Sequence, residues 1–313
     1  MTASRENALP LSKALKVALD ETRMLVLGTQ VLLGFQFQAI FREGFAMLPE
    51  RGKTLCAVAL VALTCTVGLL IAPSMQHRIV EAGHGSARLL RAARRYAVAA
   101  LSILTAGLSI DLYVVLLKDG HVRWAGIACA AFVVLCLTLW FVFPLIVGTI
   151  FGFKERPMDR KPASIEARIE QMLTEARVIL PGVQALLGFQ LIAVFAESFP
   201  HLPEPIRVTH FVALSCNAVA MALLMTPAAL HRIAFGGEDD PRFLALGSAL
   251  VAAAPLFLAF GLATDATVAL HAVGGDAAEW ALPGGIVLFL FLAALWYLWP
   301  GLLRAFGRPE IAP

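Results

Sequence analysis

Two aspartates stand inside otherwise apolar stretches of this chain, Asp111 in Gly107-Leu-Ser-Ile-Asp111 and Asp265 in Gly261-Leu-Ala-Thr-Asp265. A carboxylate kept in such a stretch carries a solvation penalty, and the chemistry that warrants it is proton exchange or cation binding. Glu43 and Glu197 lie toward the same side and complete a candidate ion or proton path with the two aspartates. A second set mixes carboxylates, guanidiniums and imidazoles: Glu21, Arg23, His77 and Arg78, then Glu175, Arg177, His231 and Arg232. Such a set suits structural ion pairing. It also suits a proton gate, because histidine titrates near physiological pH. A third set is Gln30, Gln36, Gln184 and Gln190, amides within apolar runs that must find partners inside a helix bundle. Neither a nucleophile beside a base nor a metal-ligand cluster recurs along the chain, so no catalytic residue, enzyme activity, metal or cofactor is expected.

These residues recur because the chain repeats itself at an offset of 154 positions. Glu21-Thr-Arg23 and Gly28-Thr-Gln30, with Gly34-Phe35-Gln36, return as Glu175-Ala-Arg177, Gly182-Val-Gln184 and Gly188-Phe189-Gln190. Pro73 with His77-Arg78 returns as Pro227 with His231-Arg232. A two-residue slip then aligns Leu139-Trp140 and Pro144 with Leu295-Trp296 and Pro300. The organisation this implies is a first repeat over 1–153, a charged linker over 154–162 and a second repeat over 163–313.

The elements that must position these groups are membrane helices. Hydrophobic residues make up 59% of the chain and charged residues 15%, with a formal charge of +3. Apolar runs near 20 residues recur, enough to cross a hydrocarbon core of about 30 Å. The runs are Met24–Phe41, Leu55–Pro73, Ala97–Leu117 and Trp124–Phe151, then Val178–Phe195, Val208–Pro227, Phe243–Val273 and Trp280–Leu303. The fold class is therefore all-α polytopic membrane protein, with eight transmembrane helices as two parallel four-helix repeats. An even number of spans per repeat makes both halves face the same way. With both termini cytoplasmic, nineteen of the 25 Lys and Arg fall on the inner side and Arg42, Arg51, Lys53, Lys118, Arg123 and Arg207 on the outer. That asymmetry obeys the positive-inside rule and gives no reason to expect nucleic acid.

Ser12–Thr22 and Ser164–Ala176 each place apolar residues on one face, and read as amphipathic helices on the inner surface leading into the first span of each repeat. Arg88, Arg91, Arg94 and Arg95 form a basic juxtamembrane stretch suited to anionic lipid headgroups. The five cysteines, all in apolar spans, read as packing residues. The second span of each repeat is expected to end at Pro73 and Pro227. That puts Arg23 or Arg177 beside Glu, or beside the following His-Arg pair, within its own repeat. Gly34 and Gly188 are expected to let a neighbouring helix come close. Asp111 lies six residues before Leu117, about 9 Å along a helix, in the outer third of the membrane.

The string Glu-x-Arg-x-x-x-x-Gly-x-Gln-x-Leu-x-Gly-Phe-Gln, followed by Pro-x-x-x-His-Arg, resembles a bacterial family of four-helix membrane proteins of unknown function, some of them labelled sodium:proton antiporter. The resemblance covers each repeat nearly whole. It implies that the chain is a tandem fusion of two such units, and that single-unit relatives pair as dimers that the fusion makes covalent.

The expected function is proton-coupled monovalent cation transport in a bacterial inner membrane. The alternative is a non-transporting scaffold or lipid-contact protein whose repeated polar residues are packing locks. The expected partners are the lipid bilayer, with anionic lipid at Arg88–Arg95, and a proton or monovalent cation.

Overall fold

Helix is the way a chain this apolar satisfies its backbone, since each N–H and C=O then finds a partner within the same segment. The computed structural model describes residues 11–81, 84, 86–118, 122–150 and 164–306, with the side chains of 11–16, 23, 118, 276 and 277 outside the description. Every regular element among the described residues is helical. The first half comprises α1 (Leu11–Ala39), a short α2 (Glu43–Ala46), α3 (Glu50–Ile79), α4 (Ala87–Lys118), and α5 (Val122–Leu137), which continues through a π turn (Thr138–Val142) into α6 (Phe143–Ile150). The second half comprises α7 (Ile165–Ala193), α8 (Glu204–Ile233), α9 (Pro241–Gly274), and α10 (Ala281–Ala293), which continues through a second π turn (Ala294–Leu298) into α11 (Trp299–Phe306). The linker 154–162 lies outside the described residues.

Among the described residues, seven helices are long and apolar enough to cross a membrane: α3, α4, α5–α6, α7, α8, α9 and α10–α11. The helix α1 is 29 residues long but carries Gln30, Gln36 and Gln38, and it stands outside those seven.

The helices α1 and α7 pack on each other, and α3 sits centrally against α1, α4, α9, α11 and the second π turn. Burial follows this arrangement: 61% of the most apolar stretch of α3 is buried, against 6% for α5–α6. Leu135, Leu139, Phe143 and Leu145 of that peripheral helix are exposed, a surface suited to lipid tails.

Two expectations about helix boundaries are corrected. The amphipathic segments are not separate surface helices. Ser12–Thr22 and Ser164–Ala176 are the leading turns of α1 and α7, with Ile169 and Met172 buried in the protein core and Leu19 packed with Leu89. Their apolar faces have protein to pack on, so nothing forces a break. The second spans also do not end at their prolines. Both α3 and α8 run through Pro73 and Pro227 to Ile79 and Ile233. One missing donor is tolerated in a helix braced by neighbours. The His-Arg pairs therefore ride the last helical turn, where their direction is fixed.

Both π turns lie over the turn that leads into a proline. Pro144 and Pro300 supply no N–H to the carbonyls of Trp140 and Trp296, four residues earlier. The turn before each proline is widened: Phe143 N–H reaches Thr138 O and Trp299 N–H reaches Ala294 O, each five residues back. In the second half the widened turn seats Trp296, fully buried, with its Nε1 donating to Gly68 O of α3 at 2.8 Å.

Candidate functional site

Polar groups concentrate at both ends of this bundle. At one end, here the upper, α1 finishes at Ala39 and α3 begins at Glu50. Gln36 Nε2 donates to Asp111 Oδ1 at 2.7 Å and to Cys56 O at 3.2 Å, tying α1, α4 and α3 together. The second half repeats the device. Gln190 Nε2 donates to Asp265 Oδ2 at 2.6 Å, and His210 Nε2 donates to Gln190 O at 3.1 Å, tying α7, α9 and α8. The pairing of each Gln with its Asp is what the sequence left undetermined. The need of an amide for a partner inside the bundle placed the glutamines inward but named no partner.

The two pairs differ in surroundings. Asp265 is buried, with Oδ1 unpartnered among the described residues. His210 stands where the first half has Cys56, fully buried and packed between Phe37 and Phe199 at ring distances of 5.9 and 5.1 Å. Asp111 is half-buried and lines an open cavity of about 400 Å³ with Gln36, Cys56, Phe35 and Phe45. Glu43 and Glu197 are exposed at the same end, away from both aspartates' hydrogen bonds.

At the lower end the carboxylate is Glu175, 1% exposed. His77 Nδ1 lies 2.5 Å from Glu175 Oε1, and Arg78 Nη2 donates to Glu175 Oε2. Arg78 Nη1 also reaches Ser248 O at 3.4 Å. These groups line a cavity of about 500 Å³ that includes Arg168 and Met172. The ion cluster crosses between halves, so the expectation of two rims, each closed within its own repeat, is corrected. Arg177 and Arg232 are exposed, His231 stacks on Phe243 at 4.6 Å, and Glu21 is exposed. The side chain of Arg23 lies outside the described residues. The physical reason is the central place of α3 between α4 and α9, from which the His77 and Arg78 side chains of its last turn reach Glu175 of α7.

The same asymmetry sorts the amides. Gln30 is fully buried over Gly182, where a Cβ would collide with it, and both of its amide atoms lack a protein partner among the described residues. Gln184 is exposed, contrary to expectation. Likewise Phe189 packs onto Gly34, whereas none of the described residues occupies the space beside Gly188 and Phe35 is left 57% exposed. Arg88 turns to Glu81 at 2.9 Å, leaving Arg91, Arg94 and Arg95 as the exposed part of the basic stretch.

Along α7, Glu175 precedes Gly182 by seven residues and Gln190 follows it by eight, which is roughly 10 Å and 12 Å at 1.5 Å per residue. The buried Gln30 therefore sits between the two carboxylate clusters. The family of unknown function DUF6328 matches this chain twice, over residues 10–144 and 160–300. The chain belongs to that family. The two matches cover the two halves described above, each one DUF6328 unit in tandem. No curated protein and no solved structure matches the chain.

Sequence reasoning missed two polar residues in the second DUF6328 unit, His210 and Asn217. Both are 0% exposed on α8, and Asn217 lies against Gly261 of α9 with neither amide atom partnered among the described residues. Their signal was present: a His and an Asn within the apolar run Val208–Pro227, each of which must find a partner inside a bundle.

Proposed function

We propose that this DUF6328 protein moves protons, coupled to a monovalent cation, across a bacterial inner membrane, and that it is not an enzyme. In this reading α1 joins the seven apolar helices as an eighth span. The two units stand parallel with both termini cytoplasmic, which makes the Glu175 end cytoplasmic and the aspartate end external. The excess of Lys and Arg in the lower loops supports that orientation.

The observation that carries the reading is the polar column along α7. It runs from Glu175 with His77 and Arg78, past the amide of Gln30, unpartnered among the described residues, to Gln190 with Asp265. An unpaired buried amide costs about 1–3 kcal/mol. A protein gains from keeping Gln30 and Asn217 in such places when a mobile ion or proton carrier uses them as partners in passing. The carboxylates at the two ends serve as proton acceptors, and Gln36 and Gln190 orient them. A pH jump across vesicles containing the purified protein tests this: transport predicts relaxation of the gradient that accelerates on addition of a monovalent cation.

One observation favours a scaffold instead. Both Gln–Asp pairs bridge three helices, as packing clamps do. Under that reading the vesicles hold their gradient whatever cation is added, and Gln36→Ala loosens the fold without touching any flux.

A further inference from the structure

The duplication places two equivalent carboxylate sites in one molecule, one on a cavity of about 400 Å³ and the other on a cavity of about 10 Å³. In the first unit the cavity of about 400 Å³ is lined by the hydrogen-bonded pair Asp111 and Gln36. Its walls are apolar: Leu32, Ile40, Leu48, Val114 and Val115, with the rings of Phe35 and Phe45. Leu32 and Phe35 are exposed on the flank of the bundle, so the mouth faces the apolar side of the protein as well as its upper end. The charged groups among its lining residues are Asp111 and, exposed at the rim, Arg42. In the second unit the position of Cys56 is taken by His210, which is 0% exposed, hydrogen-bonded to Gln190 O and packed by Phe37 and Phe199. There Asp265 and Gln190 line a cavity of about 10 Å³, walled by Leu33, Phe37 and Leu60 of the first unit.

A cavity of this size is in the range that holds small organic ligands. One carboxylate in the wall of an otherwise largely apolar pocket, with phenyl rings lining the same pocket, selects a cation that is itself apolar. The carboxylate supplies charge, the rings attract the cation through their π faces, and the walls bury hydrocarbon. Small hydrated ions gain nothing from the walls, and neutral apolar molecules leave the carboxylate unpaired.

We propose that the Asp111 cavity of the first unit is a binding site for a hydrophobic organic cation, a quaternary ammonium or phosphonium, and that His210 closes the equivalent site of the second unit. The proposal refines the cation named in the transport reading and rests on it only for the word substrate, since binding stands apart from flux.

The test uses the full chain in detergent or nanodiscs and tetraphenylphosphonium as probe, with triphenylphosphine oxide as the neutral comparison. Saturable binding of about one phosphonium per chain is expected, at least tenfold tighter than the neutral probe. Asp111→Asn keeps the hydrogen bond from Gln36 and removes the charge, and should weaken phosphonium binding at least tenfold. Cys56→His keeps the charge and imports the plug, and should also abolish binding. Thermal melts of each variant show whether a loss reflects unfolding, and the comparison of probes on the unaltered chain needs no variant. Equal binding of both probes, no saturable phosphonium binding, or full binding in folded Asp111→Asn overturns the proposal. Phosphonium binding without ion flux keeps this site and removes the transport reading; flux without phosphonium binding does the reverse.

Discussion

His77 and Glu175 meet at 2.5 Å although they belong to different DUF6328 units, 98 residues apart in the chain. Arg78 joins them on the other carboxylate oxygen, so one fully buried acid is held by two basic groups on the last turn of α3. The contact fastens the first unit to the second at the end opposite the aspartates.

Removing one member of such a cluster strands the other in a dry site, at about 3–5 kcal/mol. Arg78→Ala is expected to cut folded yield and lower the melting temperature by several degrees. Arg78→Gln with Glu175→Gln should recover part of the loss, because the stranded charge is gone. Arg177→Ala, on an exposed side chain, should change stability by less than about 0.5 kcal/mol. Thermal melts of purified protein check the series; equal losses in Arg78→Ala and Arg177→Ala would speak against the cross-unit cluster.

The membrane character, the duplication and the helices were legible in the sequence because hydrophobic run length and a fixed offset are one-dimensional signals. The inward faces of Gln36 and Gln190 were legible because an amide in an apolar run needs a partner inside the bundle. Which unit Glu175 would serve was not, because both His-Arg pairs carry the same motif and only the three-dimensional packing of α3 against α9, with its His77 and Arg78 side chains reaching α7, breaks the tie. Gln184 and Gly188 show the same limit. They match Gln30 and Gly34 residue for residue, yet Gln184 faces out and none of the described residues occupies the space beside Gly188.

Gly182 gives a test of the α1–α7 contact. A methyl group there collides with the Gln30 side chain. Gly182→Ala is expected to destabilise by about 1–3 kcal/mol through overpacking. Gln30→Ala, combined with it, should relieve the clash and leave the double variant more stable than Gly182→Ala alone. A double variant no better than the single means that the two residues do not touch.

Acid sensitivity should trace in part to His84, between α3 and α4. Burial pushes its imidazole below the ordinary 6.5, the positive potentials of Arg168 and His77 push it further, and Glu81 opposes them. The unfolded chain therefore binds more protons between the two values. The contribution to stability is complete above about 6.5 and is lost as pH falls toward the folded value. Melting temperatures should drop from pH 7 to pH 5, and the drop should shrink in His84→Gln. Parallel profiles for the two proteins would assign the acid sensitivity elsewhere.

Orientation is open to labelling. Single reporters after Glu50 or Gly275 are expected to react from outside whole cells, and one after Ser86 only from inside, as is one after Asp159 in the linker beyond the described residues. The opposite pattern would invert the bundle and move Glu175 to the external face.

The most direct measurement is proton flux in vesicles after a pH jump, with and without a monovalent cation, comparing the natural chain with Asp111→Asn, Asp265→Asn and the pair together. Asn keeps the shape and the bond from Gln36 or Gln190 and cannot exchange a proton. The account predicts cation-dependent relaxation of the gradient in the natural protein, with strong loss in each single variant and abolition in the double, all three folded. A gradient that never relaxes in the natural protein, or flux undiminished in the double variant, would contradict it.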